Sequence, residues 1–377
     1  MLVVPSRSPF TLEIRNLRAL RHVRWSPQGL CALVGANGSG KSTILLSLKM
    51  LRSALENNLP NAVTYVLLLG GNFNLRNRDA DPSDPVELGL SCDDLSWRIQ
   101  LLPRGPTAAH SELLTQSGTT VFSREATGQL TYGGDKSFGD ERLCIRALID
   151  RGISDPRLTR IARLIEGFSV FHDPDLFGLR MGGSKVGDVR QLHSRGTNAI
   201  AMLRRWFLER PNRHRYDFVL HGLSTAFPGL VDDLDFQEAG QMLAMQFYPK
   251  GSKQPNSVAY EANGVLAMMV LLCDVAAAEN DGVVAIDEPE NSLHPYAIRA
   301  FLEAAASEAR KRNLTIILAT HSPTLLDRLM PSQIYVMVPT AEVSPVRLDQ
   351  LKDPEWLANF RIGELFMNDE LTPLVES

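Results

Sequence analysis

The stretch "LCALVGANGSGKSTILLSLKMLRSAL", Leu30 to Leu55, constrains this chain most. Its first five residues are apolar and read as a strand buried on both faces, and the apolar spacing after Thr43 reads as a helix. Between the two, "GANGSGKS" satisfies G-x-x-x-x-G-K-[ST]. The glycines allow backbone N–H groups to close around phosphate oxygens, and the start of the following helix adds partial positive charge. Lys41 supplies a point charge to the phosphates, and the Ser42 hydroxyl supplies a ligand for Mg²⁺. The candidate nucleotide contacts are therefore Gly35, Ala36, Asn37, Gly38, Ser39, Gly40, Lys41, Ser42 and Thr43, with ATP and Mg²⁺ as the expected ligands.

A second stretch, "VVAIDEPENSLHPYAIR", Val283 to Arg299, follows four apolar residues with carboxylates. It reads as a short buried strand, an acidic turn, and a helix opened by Pro295. Ligands in α/β sheets gather at such strand ends. Asp287 is then a candidate partner of Ser42 in holding Mg²⁺, directly or through water. Glu288 can polarise a water for attack on the γ-phosphate, and Glu290 receives no assigned chemistry. In "ILATHSP" a further apolar strand ends just before His321, which lies beside the acidic strand end if the two strands are neighbours. His321 is therefore the candidate sensor of the γ-phosphate.

The rest of the sequence sets limits. Of 377 residues, 44% are hydrophobic and 22% charged, the balance of a soluble globular protein with one large domain or two lobes. A net charge of −4 advertises no global affinity for nucleic acid. Cys31, Cys92, Cys144 and Cys273 are far apart and unpaired by any CxxC, as expected of reduced thiols in a cytoplasmic protein. The N-terminus has no secretory pattern. The longest apolar run, "GVLAMMVLLCDVAAA" from Gly264, has the length of a buried core helix, so no membrane insertion is expected.

Alternation in "FTLEIRN", "VELGLSCDD" and "LSWRIQLLP" predicts antiparallel strands. Residues 104–138 read as loops and short hairpins, and helical patterns dominate from Asp140 to Pro228. "LDFQEA" and "QMLAMQFYP" read as strands, followed by a helix from Asn263. The implied division is 1–104, the first part of a nucleotide-binding core; 105–249, a mainly helical insertion; and 250–377, the second part of the core. Arg157, Arg160 and Arg163 share one helical face, and "LRRWFLERPNRHRY" gathers Arg204, Arg205, Arg210, Arg213, His214 and Arg215. Such sets suit DNA phosphates, although charged faces are more often solvated or ion-paired. "FHDP", with His172 and Asp173, and also His193, lack metal-ligand spacing and read as structural.

"GANGSGKST", "VVAIDEPENSLHP" and "LATHSP" together resemble the ABC-type P-loop ATPases of the SMC and RecF class, and most of all AAA-type ATPases similar to the ATPase domain of OLD-family proteins. "LEIRNLRALRHV", "GTNAIAMLRRW" and "ANFRIGELFMND" resemble further segments of that family. The resemblance implies an α/β fold, an ABC-type P-loop ATPase head with an N-terminal antiparallel β portion and a mainly helical insertion. It also implies a homodimer whose two heads bury two ATP molecules, each between one P-loop and the other subunit's signature segment. Asn291 and Ser292 would then belong to a D-loop reaching the partner's site, and His321 would be the switch histidine.

One departure stands out. Where the family carries Ser-Asp-Gly-Thr and then Leu-Arg, this chain reads "ANGVLAMM", Ala262 to Met269. Gly264 and the helix start persist, and Asn263 offers an amide in place of the hydroxyl, so slow or partner-dependent turnover is expected. Asn72 or Asn74 is a candidate for the glutamine that ABC ATPases carry after a strand. Only 56 residues follow His321, whereas a fused Toprim nuclease needs about 100. The resemblance therefore implies a separate effector, a nuclease or toxin, in a DNA-related defence or repair module. The alternatives are a non-catalytic ATP-gated scaffold and the ATPase subunit of a transporter.

Overall fold

The computed structural model describes residues 10–57, 75–81, 83–102, 109–138, 142–187, 191–338, 344–368 and 370–371. The chain forms two compact units. The first takes residues 1–168, 331–359 and 368–377, and the second takes 169–330 and 360–367. The division expected from sequence, with boundaries at 104 and 249, does not coincide with these units.

In the first unit, β1 (Thr11–Leu17) and β2 (Leu20–Trp25) form a hairpin. The fully buried β3 (Leu30–Val34) then leads to α1 (Lys41–Glu56). An eight-stranded antiparallel sheet follows in the order β2-β1-β4-β5-β6-β7-β8-β9. Its later strands are β4 (Val86–Cys92), β5 (Leu95–Leu102), β6 (Ala109–Gln116), β7 (Thr119–Arg124), β8 (Gln129–Tyr132) and β9 (Asp135–Phe138). The last four lie where the sequence suggested loops and hairpins. Their alternation is broken by Ser, Thr and Gly, but Leu114, Phe122 and Leu130 are fully buried and anchor one face. Next come α2 (Cys144–Asp150) and α3 (Pro156–Glu166). The buried Glu112 of β6 accepts the Cys144 N–H at 2.6 Å and the Trp97 indole N–H at 2.9 Å, capping α2 from a distant strand.

The second unit opens at β10 (Phe168–Phe171) and continues through α4 (Leu176–Gly182), β11 (Ser184–Lys185), α5 (Ala199–Leu208) and α6 (Arg213–Ala226). A small sheet of β11, β12 (Asp233–Ala239), β13 (Met242–Tyr248) and β14 (Asn256–Ser257) precedes α7 (Asn263–Ala277). From Val265 to Ala276 every residue of α7 is buried, as expected of a helix apolar on all sides. The Ser169 hydroxyl donates to the buried Asp274 carboxylate at 2.5 Å, which fastens β10 to α7. Then follow β15 (Val283–Asp287), α8 (Pro295–Arg312), β16 (Thr315–Ala319) and α9 (Pro323–Leu326). β15 lies between β10 and β16 and pairs with β16 in parallel, Asp287 opposite Ala319.

The chain returns to the first unit with β17 (Ile334–Met337), parallel to β3, and β18 (Pro345–Arg347), antiparallel to β17. Short helices α10 (Leu348–Leu351) and α11 (Pro354–Leu357) follow, and α12 (Ile362–Met367) belongs to the second unit. Among the described residues no helix is long and apolar enough to cross a membrane. The four cysteines are free and buried.

Candidate functional site

The phosphate loop lies in the first unit, between β3 and α1. α1 begins at Lys41 with no side-chain cap from Gly40 and no acidic residue in its first turn, a helix start whose partial positive charge favours an anion. Gly40 has φ +102°, and a Cβ there would stand 2.3 Å from Leu20 Cδ2. At Gly35 a Cβ would stand 2.9 Å from Met337 Cβ. Glycine at both positions is therefore a steric requirement of the turn. Lys41 is only 6% exposed, and its Nζ donates to the Gly35 and Ala36 carbonyls at 2.8 and 3.1 Å. The ammonium is thus held over the inside of the loop, while Ala36, Asn37, Gly38 and Ser42 are exposed. Such a cradle suits a phosphate chain, and the Ser42 hydroxyl at its rim is a hard oxygen donor of the kind that Mg²⁺ takes.

The acidic strand end lies in the second unit. β15 and β16 are neighbours, so the Asp287 end of the one lies beside the segment that carries His321 after the other. The turn after Asp287 is tightly built. Glu288 adopts φ +50° and Ser292 φ +69°, positions that side chains seldom occupy. The Glu288 N–H donates to the Ala319 carbonyl at 2.8 Å, and the Asn291 N–H to the Glu288 carbonyl at 3.1 Å. The Asn291 side-chain amide donates to Glu288 Oε2 at 2.9 Å. The His321 ring lies 6.4 Å from that of Phe366 in α12.

A cavity of about 510 Å³ gathers Asp287, Glu288, Asn291 and Ser292 with Asn263 at the start of α7. A Cβ on Gly264 would stand 3.0 Å from the Ser292 carbonyl, so the signature-like segment packs directly on the turn after the acidic strand. Ala262 precedes α7 without giving it a side-chain cap.

The same cavity contains a residue that the sequence did not single out for chemistry. His172, just beyond β10, places Nδ1 3.4 Å from Asp287 Oδ2. Its turn is fixed from the other side. Arg195 donates from Nε to the Asp173 carbonyl and from Nη2 to Asp173 Oδ2, both at 3.2 Å. No metal-ligand spacing announced His172; only the position of β10 beside β15 brings it to Asp287. Among the described residues no group of three or more His, Cys, Asp or Glu could hold a metal by itself. Asn72 and Asn74 lie outside the described residues.

The arginine clusters are largely committed to their own chain. Arg204 meets Glu238 at 2.6 Å, Arg205 meets Glu209 at 2.8 Å, Arg213 meets Asp217 at 3.2 Å and Arg215 meets Glu279 at 2.9 Å. Arg157 forks onto Asp155, and Arg160 reaches Asp93 at 3.4 Å. The ion-paired reading of these arginines describes them better than a prepared phosphate track.

Residues 187–327 match the family model described as "AAA domain, putative AbiEii toxin, Type IV TA system". No curated protein matches the chain. Among the solved structures similar to it at low identity are two SMC heads. One is an SMC head bound to the C-terminal winged-helix domain of ScpA, 13% identical, with a TM-score of 0.58 over 92% of this chain and 100% of that one. The other is an SMC head with an extended coiled coil bound to the C-terminal domain of ScpA, derived from Pyrococcus furiosus. It is 12% identical, with a TM-score of 0.54 over 95% of this chain and 100% of the other. With its strand–GANGSGKS–helix unit, its antiparallel N-terminal sheet and these likenesses, the chain has the α/β fold of a P-loop ATPase head of the SMC-like class.

Proposed function

We propose that this chain binds and hydrolyses ATP with Mg²⁺, and that two copies close on the nucleotide as heads of the SMC-like class do. The observation that carries the ATPase reading is the phosphate loop, with its uncapped helix start, sterically obligatory glycines and inward-held Lys41. Lys41 and the loop N–H groups bind the phosphates. Ser42 in the first unit and Asp287 in the second each offer an oxygen of the kind that Mg²⁺ takes, and the ion would supply charge neutralisation when bound. Glu288, fixed by Asn291, orients the attacking water and takes its proton. His321 reports the γ-phosphate. Asn263, Gly264, Asn291 and Ser292 face the nucleotide of the second copy.

Closure would drive a DNA-related process, in defence or repair, through a separate effector such as a nuclease or toxin. The toxin–antitoxin wording of the matched family supports that direction, as does the binding of SMC heads to a protein partner. The missing signature hydroxyl favours a second reading, an ATP-gated scaffold that closes without turnover.

Light scattering after size exclusion tests the dimer on Glu288→Gln with ATP: a closed dimer is expected, and a strictly monomeric, ATP-bound variant would sink it. Phosphate release by the wild type above the Glu288→Gln level separates the enzyme from the scaffold.

A further inference from the structure

Glu290 is the third carboxylate after β15, and neither metal binding nor water activation needs it. Its Oε1 accepts two hydrogen bonds, from the Thr320 hydroxyl at 2.7 Å and from the His321 backbone N–H at 3.1 Å. Thr320 is fully buried, and its oxygen also accepts the Ser322 N–H at 2.9 Å. That second bond leaves the hydroxyl proton directed at Glu290. Two residues earlier, Glu288 N–H is bonded to the Ala319 carbonyl, and one residue later Asn291 holds the Glu288 carboxylate. The turn after β15 and the segment after β16 are therefore fastened twice, once by backbone at Glu288 and once by the Glu290 side chain.

Charge-assisted hydrogen bonds are roughly twice as strong as neutral ones. A side chain that accepts without donating is also what two converging donors require. The length of Glu is needed as well, since an aspartate would fall about one bond short of Thr320 and His321.

We propose that Glu290 is a positioning residue that makes Glu288 and His321 one mechanical unit, so that displacement of the Asn291–Ser292 segment moves the histidine with it. What this unit serves rests on the ATPase reading; the fastening of His321 does not.

The test compares Glu290→Ala, Glu290→Gln and Thr320→Val with the wild type in two measurements. Amide hydrogen exchange at His321 needs no turnover. It should quicken at least tenfold in Glu290→Ala, stay within about threefold of wild type in Glu290→Gln, whose amide oxygen can still accept, and leave the β16 amides unchanged. In ATP hydrolysis, kcat should fall at least tenfold in Glu290→Ala with KM unchanged, and Glu290→Gln should restore most of it. Thr320→Val keeps the buried volume and removes one of the two bonds to Glu290, together with the acceptor of the Ser322 N–H, so it should fall between these limits and serves if Glu290→Ala does not fold. Unchanged exchange at His321 in Glu290→Ala, or in Thr320→Val where that variant replaces it, would overturn the proposal. So would faster exchange with wild-type kcat. A wild type that binds ATP and never hydrolyses it would instead refute the ATPase reading, with the exchange at His321 still deciding the role of Glu290.

Discussion

The Asn291 side-chain amide donates to Glu288 Oε2 at 2.9 Å within the same chain. A residue expected to face a partner's nucleotide is thus also the one that fixes the proposed base of its own. Glu288 sits in a left-handed backbone conformation, which sets the direction of its side chain, and Asn291 removes much of the remaining rotamer freedom. Asn291→Ala should lower kcat about 10-fold and leave KM for ATP nearly unchanged, the signature of an interaction used in the transition state. If Asn291 works through Glu288, adding it to Glu288→Gln should cost almost nothing more, because residues acting as a unit are not additive. Steady-state phosphate release on the four proteins of that cycle measures it, and full additivity would assign Asn291 to the partner's site instead.

Lys41 and Gly40 fail for different reasons when changed. Lys41→Ala removes the side-chain cation held inside the loop by the Gly35 and Ala36 carbonyls, and should weaken ATP binding at least 100-fold, about 3 kcal/mol. Its folding should change little. Gly40→Ala places a methyl group against Leu20 at a backbone angle disfavoured for any side chain, and should cost roughly 1–3 kcal/mol of stability in addition to binding. Thermal melts with and without ATP distinguish the two: Lys41→Ala keeps its apo midpoint and loses the ATP-induced rise, whereas Gly40→Ala loses both.

Much of the candidate site is legible in the sequence because its parts are local. The phosphate loop is a contiguous stretch whose steric demands appear as glycines, and the placement of His321 needed only that β15 and β16 be neighbours. What escaped reading depends on strand order and on partners distant in sequence. His172 follows an edge strand far upstream of Asp287, and nothing around it carries a ligand pattern. Glu290 looks like one more acid in an acidic turn until the segment after β16 supplies its two donors. The arginines of the helical region look available in sequence, yet Glu238 and Glu279 reach them from β12 and from beyond α7. The strands β6 to β9 read in sequence only as loops and short hairpins, because only a few large apolar residues mark their buried face.

His172 should tune the proposed metal site. Its Nδ1 stands 3.4 Å from Asp287 Oδ2, and outer partners of a ligating carboxylate orient it and adjust its affinity. His172→Ala is expected to raise the Mg²⁺ concentration for half-maximal hydrolysis about 10-fold while maximal turnover at saturating Mg²⁺ stays within a few-fold of wild type. A Mg²⁺ titration of phosphate release reads this directly. An unchanged midpoint would return His172 to a structural role.

Acid should weaken the first unit through His110. This side chain is 3% exposed on β6, beside Arg124 on β7, and burial first, then the guanidinium, lowers its pKa to about 4. In the unfolded chain the imidazole takes its proton near 6.5. Between those values the unfolded state binds more protons than the folded one, so stability is fully present above about pH 6.5 and is lost as the pH falls toward 4. The loss cannot exceed about 3 kcal/mol at 1.36 kcal/mol per pH unit. Glu112, two residues along the same strand, acts in the opposite sense: burial raises its carboxyl pKa, so its contribution falls as the pH rises out of the ordinary carboxylate range. The two effects overlap in the wild type, and only a difference between proteins isolates the histidine. His110→Gln removes the titrating group and keeps a similar volume. Urea unfolding of both proteins from pH 7 to pH 4.5 should show the wild type losing about 1–3 kcal/mol more than the variant over that interval. Parallel curves would mean that His110 is protonated in the folded state with a partner that burial does not provide.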